Sequence, residues 1–190
     1  MDRITVLCCC NAMGTDKRPL LVIGKSLQPR CFKNLNVNSL PVVYHANKNA
    51  GMTTSIFLPW LKDWISELQK KGRKILLLID NATCHPTDTD FGNITVQFLP
   101  ANTTSLIQPL DKGIIKNLKV HYRGTLVGYI LQLIEEDPNF KSSTAKEISS
   151  EVNVLQAIQY VADSWRQLPR EQFRTALFVV AYTYLQRPKC

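Results

Sequence analysis

Residues 74–86, KILLLIDNATCHP, decide the fold. The aliphatic run from Ile75 to Ile79 is too short for a helix of ordinary length and ends at a carboxylate. An unbroken apolar run of this kind is expected of a strand buried on both faces of a sheet. Asp80 and Asn81 then open a polar loop through Pro86 and Gly92 to Asn93. Upstream, Gly72 is expected to stop a helix that Thr53 or Thr54 can cap, in which Ile56, Phe57, Trp60, Leu61, Trp64 and Leu68 recur at helical spacing. Downstream, residues 94–99 alternate as another strand. Helix, strand and strand in this order point to an α/β sheet, in which ligand sites lie beyond the carboxyl ends of strands. Asp80 is at such an end.

Towards the amino terminus, RITVLCCC (3–10) and residues 20–23 are expected to pair as a hairpin around residues 11–14, and residues 41–45 form a short extended piece. A chain that opens directly on an apolar strand implies that Met1 is a truncation or a gene-model start. Towards the carboxyl terminus, Pro109 suits the first turn of a long helix reaching about residue 134. Glu135-Glu136-Asp137-Pro138 breaks the chain and begins a linker to Ser143. Two further helices are expected, over residues 145–165 and 170–185, with Pro169 between them.

The 190 residues are 45% apolar, enough for a sizeable buried core and against disorder as the main state. The net charge is +8, with 16 basic and 8 acidic side chains in residues 1–128 and 7 of each in residues 129–190. That imbalance favours a polyanionic partner, nucleic acid before an anionic membrane. The uncharged stretches 124–134 and 175–186 are too short and too polar to span a bilayer. Six cysteines occur without a Cys-x-x-Cys pair, three of them adjacent on one strand, which is expected of buried reduced thiols. Cys31, Cys84 and His85 lack zinc-ligand spacing, and no glycine-rich phosphate loop is present.

Two carboxylates carry the candidate chemistry. Asp80 follows five aliphatic residues, where a charge is costly unless it has a partner or a metal; an ordinary turn role is the alternative. Asp111 begins the long helix. On a helix advancing about 100° per residue, Lys112, Lys116, Lys119 and Arg123 form one basic stripe, while Ile114, Leu118, His121 and Thr125 define the buried side. Asp111 turns with the buried side, or else simply complements the helix dipole. Carboxylates converging in a basic protein are suited to magnesium acting on phosphate, with the basic stripe along a DNA backbone. A solvated helix face is the plain alternative for that stripe. Asn81 is a candidate to hold the Asp80 loop, His85 to orient a metal-bound water, and Gln108 to cap the helix or approach DNA.

The segments ITVLCCCNAMGTDKRPLLVIGKSLQPRCFKN (4–34), LPVVYHANKNAGMTTSIFLPWL (40–61), ILLLIDNATCH (75–85) and FLPANTTSLIQPLDKGIIKNLKVHYR (98–123) resemble the transposase domain of the Tigger, pogo and jerky group. These are DDE-superfamily endonuclease domains related to centromere protein B. The likeness is close over residues 2–128, returns at 150–174 around Ala162-Asp163-Ser164-Trp165, and fades after Arg174.

The resemblance implies a ribonuclease H-like mixed sheet with flanking helices and three acids holding two magnesium ions, which nick and join DNA in active relatives. Asp80 matches the second acid and Asp111 the third. The first acid belongs to an upstream segment on the first, central strand, which has no counterpart here; neither Asp2 nor Asp16 matches it. The expected fold is therefore α/β, ribonuclease H-like, lacking its central strand and leaving an unpaired gap, with residues 1–135 a partial endonuclease domain and 136–190 a linker and carboxyl-terminal helices. The expected function is a catalytically incomplete, transposase-derived DNA-binding domain acting in the nucleus. Its expected partners are DNA and either a second copy or other nuclear proteins. An active magnesium-dependent nuclease and strand transferase, if an upstream acid exists, and a domesticated factor binding DNA or protein without chemistry are the rivals.

Overall fold

The computed structural model describes residues 3–11, 14–82, 84–85, 90–99, 113–136, 144, 147, 152–169 and 178–186. Its elements in chain order are β1 (Arg3–Cys10), β2 (Leu21–Gly24), β3 (Val43–Ala46), α1 (Thr54–Lys70), β4 (Ile75–Ile79), β5 (Ile94–Phe98), α2 (Ile115–Glu136), α3 (Val154–Gln167) and β6 (Phe178–Gln186). The strands make one six-stranded mixed sheet in the order β3-β2-β1-β6-β4-β5. β1 and β2 are the expected antiparallel hairpin, in register at Thr5↔Ile23 and Leu7↔Leu21. β3 lies parallel to β2, and β4 parallel to β5.

Alternation along the strands splits the core in two, because successive side chains point to opposite faces. Leu7, Cys9, Leu21, Ile23, Leu77, Ile79, Ile94 and Val96 face α1 and bury the six apolar residues expected of that helix. Ile4, Val6, Cys8, Cys10 and Val22 face the other way, onto α2 and α3. Thr53 precedes α1 in an extended conformation, but its hydroxyl meets Ser55 Oγ at 2.9 Å and makes no backbone cap. Gly72, at φ 61°, ends the helix as expected: its N–H donates to Gln69 O and that of Arg73 to Leu68 O, satisfying two terminal carbonyls. Arg18 braces the helix from outside, forking onto both oxygens of Glu67 at 2.6 and 3.0 Å and lying over the Trp64 ring.

Four expectations are corrected. Residues 178–186 are strand, not part of a helix over 170–185. FVVAYTYLQ is rich in β-branched and aromatic residues, and so apolar a run fits either period; the two strand edges it joins decide. The expected gap in the sheet is thereby filled, because β6 stands between β1 and β4, antiparallel to the first and parallel to the second. The helix expected over 145–165 is not continuous: Glu147 is helical, residues 152–153 are not, and a helix restarts at Val154, where Asn153 and Gln156 form a reciprocal capping box. Finally, β4 is buried through Leu77 and Ile79 but only half-buried at Leu76 and Leu78, since α2 and α3 lie over the β1 and β2 side of the other face.

The long helix buries Ile114 and Leu118 as expected, but not the whole expected side. Its buried residues are Ile114, Ile115, Leu118, Tyr122 and Ile130, while Thr125 is exposed and His121 half-buried. On a uniform count Ile115 and Tyr122 fall on the far side of Leu118 from His121, so the buried side is centred between Leu118 and Tyr122 rather than towards His121. No helix among the described residues is long and apolar enough to cross a membrane.

Candidate functional site

Asp80 stands where the strand pattern places it, one residue past β4. The carboxyl ends of β4 and β5 are tied to each other beside it. Leu99 N–H donates to Ile79 O at 2.9 Å, and Asn81 Nδ2 donates to Leu99 O at 2.9 Å, so Asn81 holds the ends of β4 and β5 together. The Asp80 carboxylate accepts from the backbone N–H of Ala82 at 3.3 Å, a local turn that reverses the chain. Within that turn His85 N–H donates to Ala82 O at 3.0 Å, bringing the imidazole back over the strand end.

His85 Nε2–H donates to Asp80 Oδ1 at 2.9 Å. The His85 side chain is 1% exposed and that of Asp80 25%, so the pair is largely removed from water. Phe57 forms the apolar wall, its ring edge-to-face with the imidazole at 4.6 Å between centroids. Burial alone would push the Asp80 carboxyl up; the His85 hydrogen bond and charge and the Ala82 N–H outweigh it and hold the group below the ordinary carboxylate range. The carboxylate is therefore ionised and fixed in orientation, with both side-chain hydrogen bonds on Oδ1.

The structure joins Asp80, Asn81 and His85; it does not test the rest of the expected constellation. Asp111, Lys112 and Gln108 lie outside the described residues. Lys116 and Arg123 are exposed and Lys119 half-exposed on α2, so three members of the basic stripe line the outside of that helix. Phe57 is the participant that sequence reasoning left among core residues; its place in the α1 apolar stripe gave the only signal. No group of three His, Cys, Asp or Glu side chains suited to a metal ion occurs among the described residues. A magnesium ion demands several oxygen ligands, and Asp80 alone supplies one carboxylate. The described residues do not fit a two-ion centre.

The family model for DDE superfamily endonucleases matches residues 1–177. Among curated proteins, the chain is 34% identical over 170 residues to Tigger transposable element-derived protein 4 of Mus musculus, covering 90% of this chain and 31% of that one. It is 38% identical over 173 residues to ARS-binding protein 1 of Schizosaccharomyces pombe, covering 86% and 31%. It is 29% identical over 176 residues to the major centromere autoantigen B of Mus musculus, covering 92% and 27%. The chain thus spans about a third of the length of the curated relatives it matches. No solved structure matches it. With nearly the whole length from Arg3 to the end of α3 inside the matched region, the chain belongs to the DDE superfamily endonuclease family.

Proposed function

We propose that this chain is a transposase-derived DNA-binding domain that holds DNA through the basic face of α2 and does not complete the cleavage chemistry of its family. One observation carries the second half of that reading. Both strands beside β4, β5 with the sequence ITVQF and β6 with FVVAYTYLQ, carry no Asp or Glu, so neither neighbour offers Asp80 a carboxylate partner. Two-metal catalysis of phosphoryl transfer needs ions held on both sides of the scissile phosphate, which one strand-end carboxylate cannot do. If Asp111 converges on Asp80, the pair could hold an ion, still short of the three acids that the resemblance implies.

The DNA half rests on the +8 charge, on the exposure of Lys116 and Arg123, and on relatives named for centromeres and for ARS binding. A nuclear location accompanies that reading. Fluorescence anisotropy with duplex DNA at increasing salt tests it directly. Each phosphate contact contributes about 0.9 to the slope of log affinity against log salt. Lys116→Ala and Arg123→Ala should each lower the slope by about one such unit, and Asp80→Ala should leave it unchanged. Slopes unaltered by the α2 substitutions would refute binding through this face. Magnesium-dependent cutting of duplex DNA by the purified chain, lost on Asp80→Ala, would refute the catalytic half.

A further inference from the structure

Residues 17–62 carry seven Lys and Arg side chains and no Asp or Glu. Two of the seven are engaged at one end of the sheet, where Lys17 donates to the carbonyls of Trp165 and Leu168 and Arg18 forks onto Glu67. Lys25 stands at the other end, one residue past β2. Continuing the β1–β2 register of Thr5↔Ile23 by two places brings Arg3, the first residue of β1, opposite Lys25. Like charges set opposite each other across two strands repel, and an anion between them replaces that repulsion with two attractions.

A cavity of about 50 Å³ lies where the two meet, lined by Arg3, Lys25, Ser26, Gly24 and Tyr44 and by Val154, the first residue of α3. Among the described residues no acid lines it. A water needs about 10–15 Å³ of such space, so the cavity suits a compact group of about four polar atoms, a phosphate and not a nucleobase. Its shape is built in. The Tyr44 hydroxyl donates to Ser26 O at 2.8 Å, and Phe32 packs edge-on to the Tyr44 ring at 4.9 Å between centroids. A Cβ at Gly24 would collide with the Tyr44 hydroxyl, so glycine lets the tyrosine lie across the end of β2. Ser26 Oγ accepts from Gln28 N–H at 3.3 Å, and a hydroxyl that accepts still has its own proton to donate. A guanidinium, an ammonium and a hydroxyl around one small space are phosphate-binding chemistry. Arg3, Lys25 and Ser26 are exposed, so the cavity opens at the surface, where a phosphate still joined to its polymer can enter.

We propose that this cavity is a seat for one backbone phosphate of DNA, held jointly by Arg3, Lys25 and Ser26. The source of the phosphate rests on the DNA reading above; the seat itself does not.

Titration of the full chain with inorganic phosphate, against chloride at equal ionic strength, should shift the backbone amides of Gly24, Lys25 and Ser26 saturably in NMR spectra. Arg3→Ala/Lys25→Ala should abolish that shift while the amides of Val6 and Val22 keep their positions, the sign of an intact sheet. In duplex binding the same double variant should lower the slope of log affinity against log salt by about 0.9, the share of one phosphate. A fall of about 1.8 would mean that the two cations hold separate phosphates, and would overturn the joint seat. Absence of a saturable phosphate shift would overturn the cavity as an anion site, whatever the slope. A saturable shift with an unchanged slope would overturn DNA as the occupant in favour of free phosphate. Lys116→Ala and Arg123→Ala decide the α2 face separately. Lack of any duplex binding by the wild-type chain would overturn the DNA reading, and with it DNA as the occupant, while the phosphate titration still decides the seat.

Discussion

At the scale of single residues, the site is a carboxylate whose setting was written in the sequence and a histidine whose partnership was not. Asp80 was legible because a charge after five aliphatic residues has to be explained. His85 lies five positions on, in a loop with no period, so only the turn through Ala82 reveals that its ring returns to Oδ1. His85→Ala removes the largest contacts that lower the Asp80 carboxyl and leaves backbone N–H donors alone against burial, which raises it. The Asp80 titration followed by carbon NMR should move upward in that variant; an unmoved titration would show that the imidazole does not set it. Glu67 gives a second pH effect with a defined sign. Its Arg18 fork holds the folded carboxyl below the unfolded value of 4.5, so the associated stability is complete above that value and is lost as pH falls through the folded one. Thermal melts of wild type and Glu67→Gln should differ at neutral pH and converge in acid. The effect is small, because Glu67 is nearly half exposed.

Among the elements, α1 was readable to the residue, since its apolar period, its glycine stop and its length agreed. The two later helices were less so, for local reasons. The buried side of α2 is centred between Leu118 and Tyr122 rather than towards His121, and the Asn153-Val154-Leu155-Gln156 box opens α3 inside what the apolar pattern alone read as one continuous helix. That box satisfies two backbone donors reciprocally, with Asn153 Oδ1 accepting from Gln156 N–H at 3.0 Å and Gln156 Oε1 from Asn153 N–H at 3.0 Å. Asn153→Ala should cost about 1 kcal/mol in urea unfolding. Asn153→Ser should recover most of it, because a serine hydroxyl can accept the same bond. A variant as stable as wild type would mean that packing of Ala157, Ile158 and Val161 fixes the helix start without the cap.

At the scale of the whole molecule, the decisive feature is that the sheet's centre comes from its last strand. Local pattern could not predict this, because an apolar run acquires strand character only when two separated edges need a partner. The edge of β1 belongs to the amino-terminal hairpin and that of β4 to the strand ending at Asp80, and β6 holds them in one register. α1 spans the same junction, packing on Leu7 and Leu21 from one side and on Leu77 and Ile94 from the other. The two halves are therefore joined by backbone hydrogen bonds in the sheet and by apolar contacts above it. Val180→Pro breaks only the first of these joints, since proline removes a donor and fits poorly inside a sheet. Hydrogen exchange in that variant should speed up along Arg3–Cys10 and at Leu77 and Leu78, where β6 pairs. It should stay slow at the β2–β3 pairing from Leu21↔Val43 to Gly24↔Ala46, which is independent of β6. Uniform acceleration across all strands would instead mean that the sheet opens as one unit, with the β6 ladder limiting its global stability.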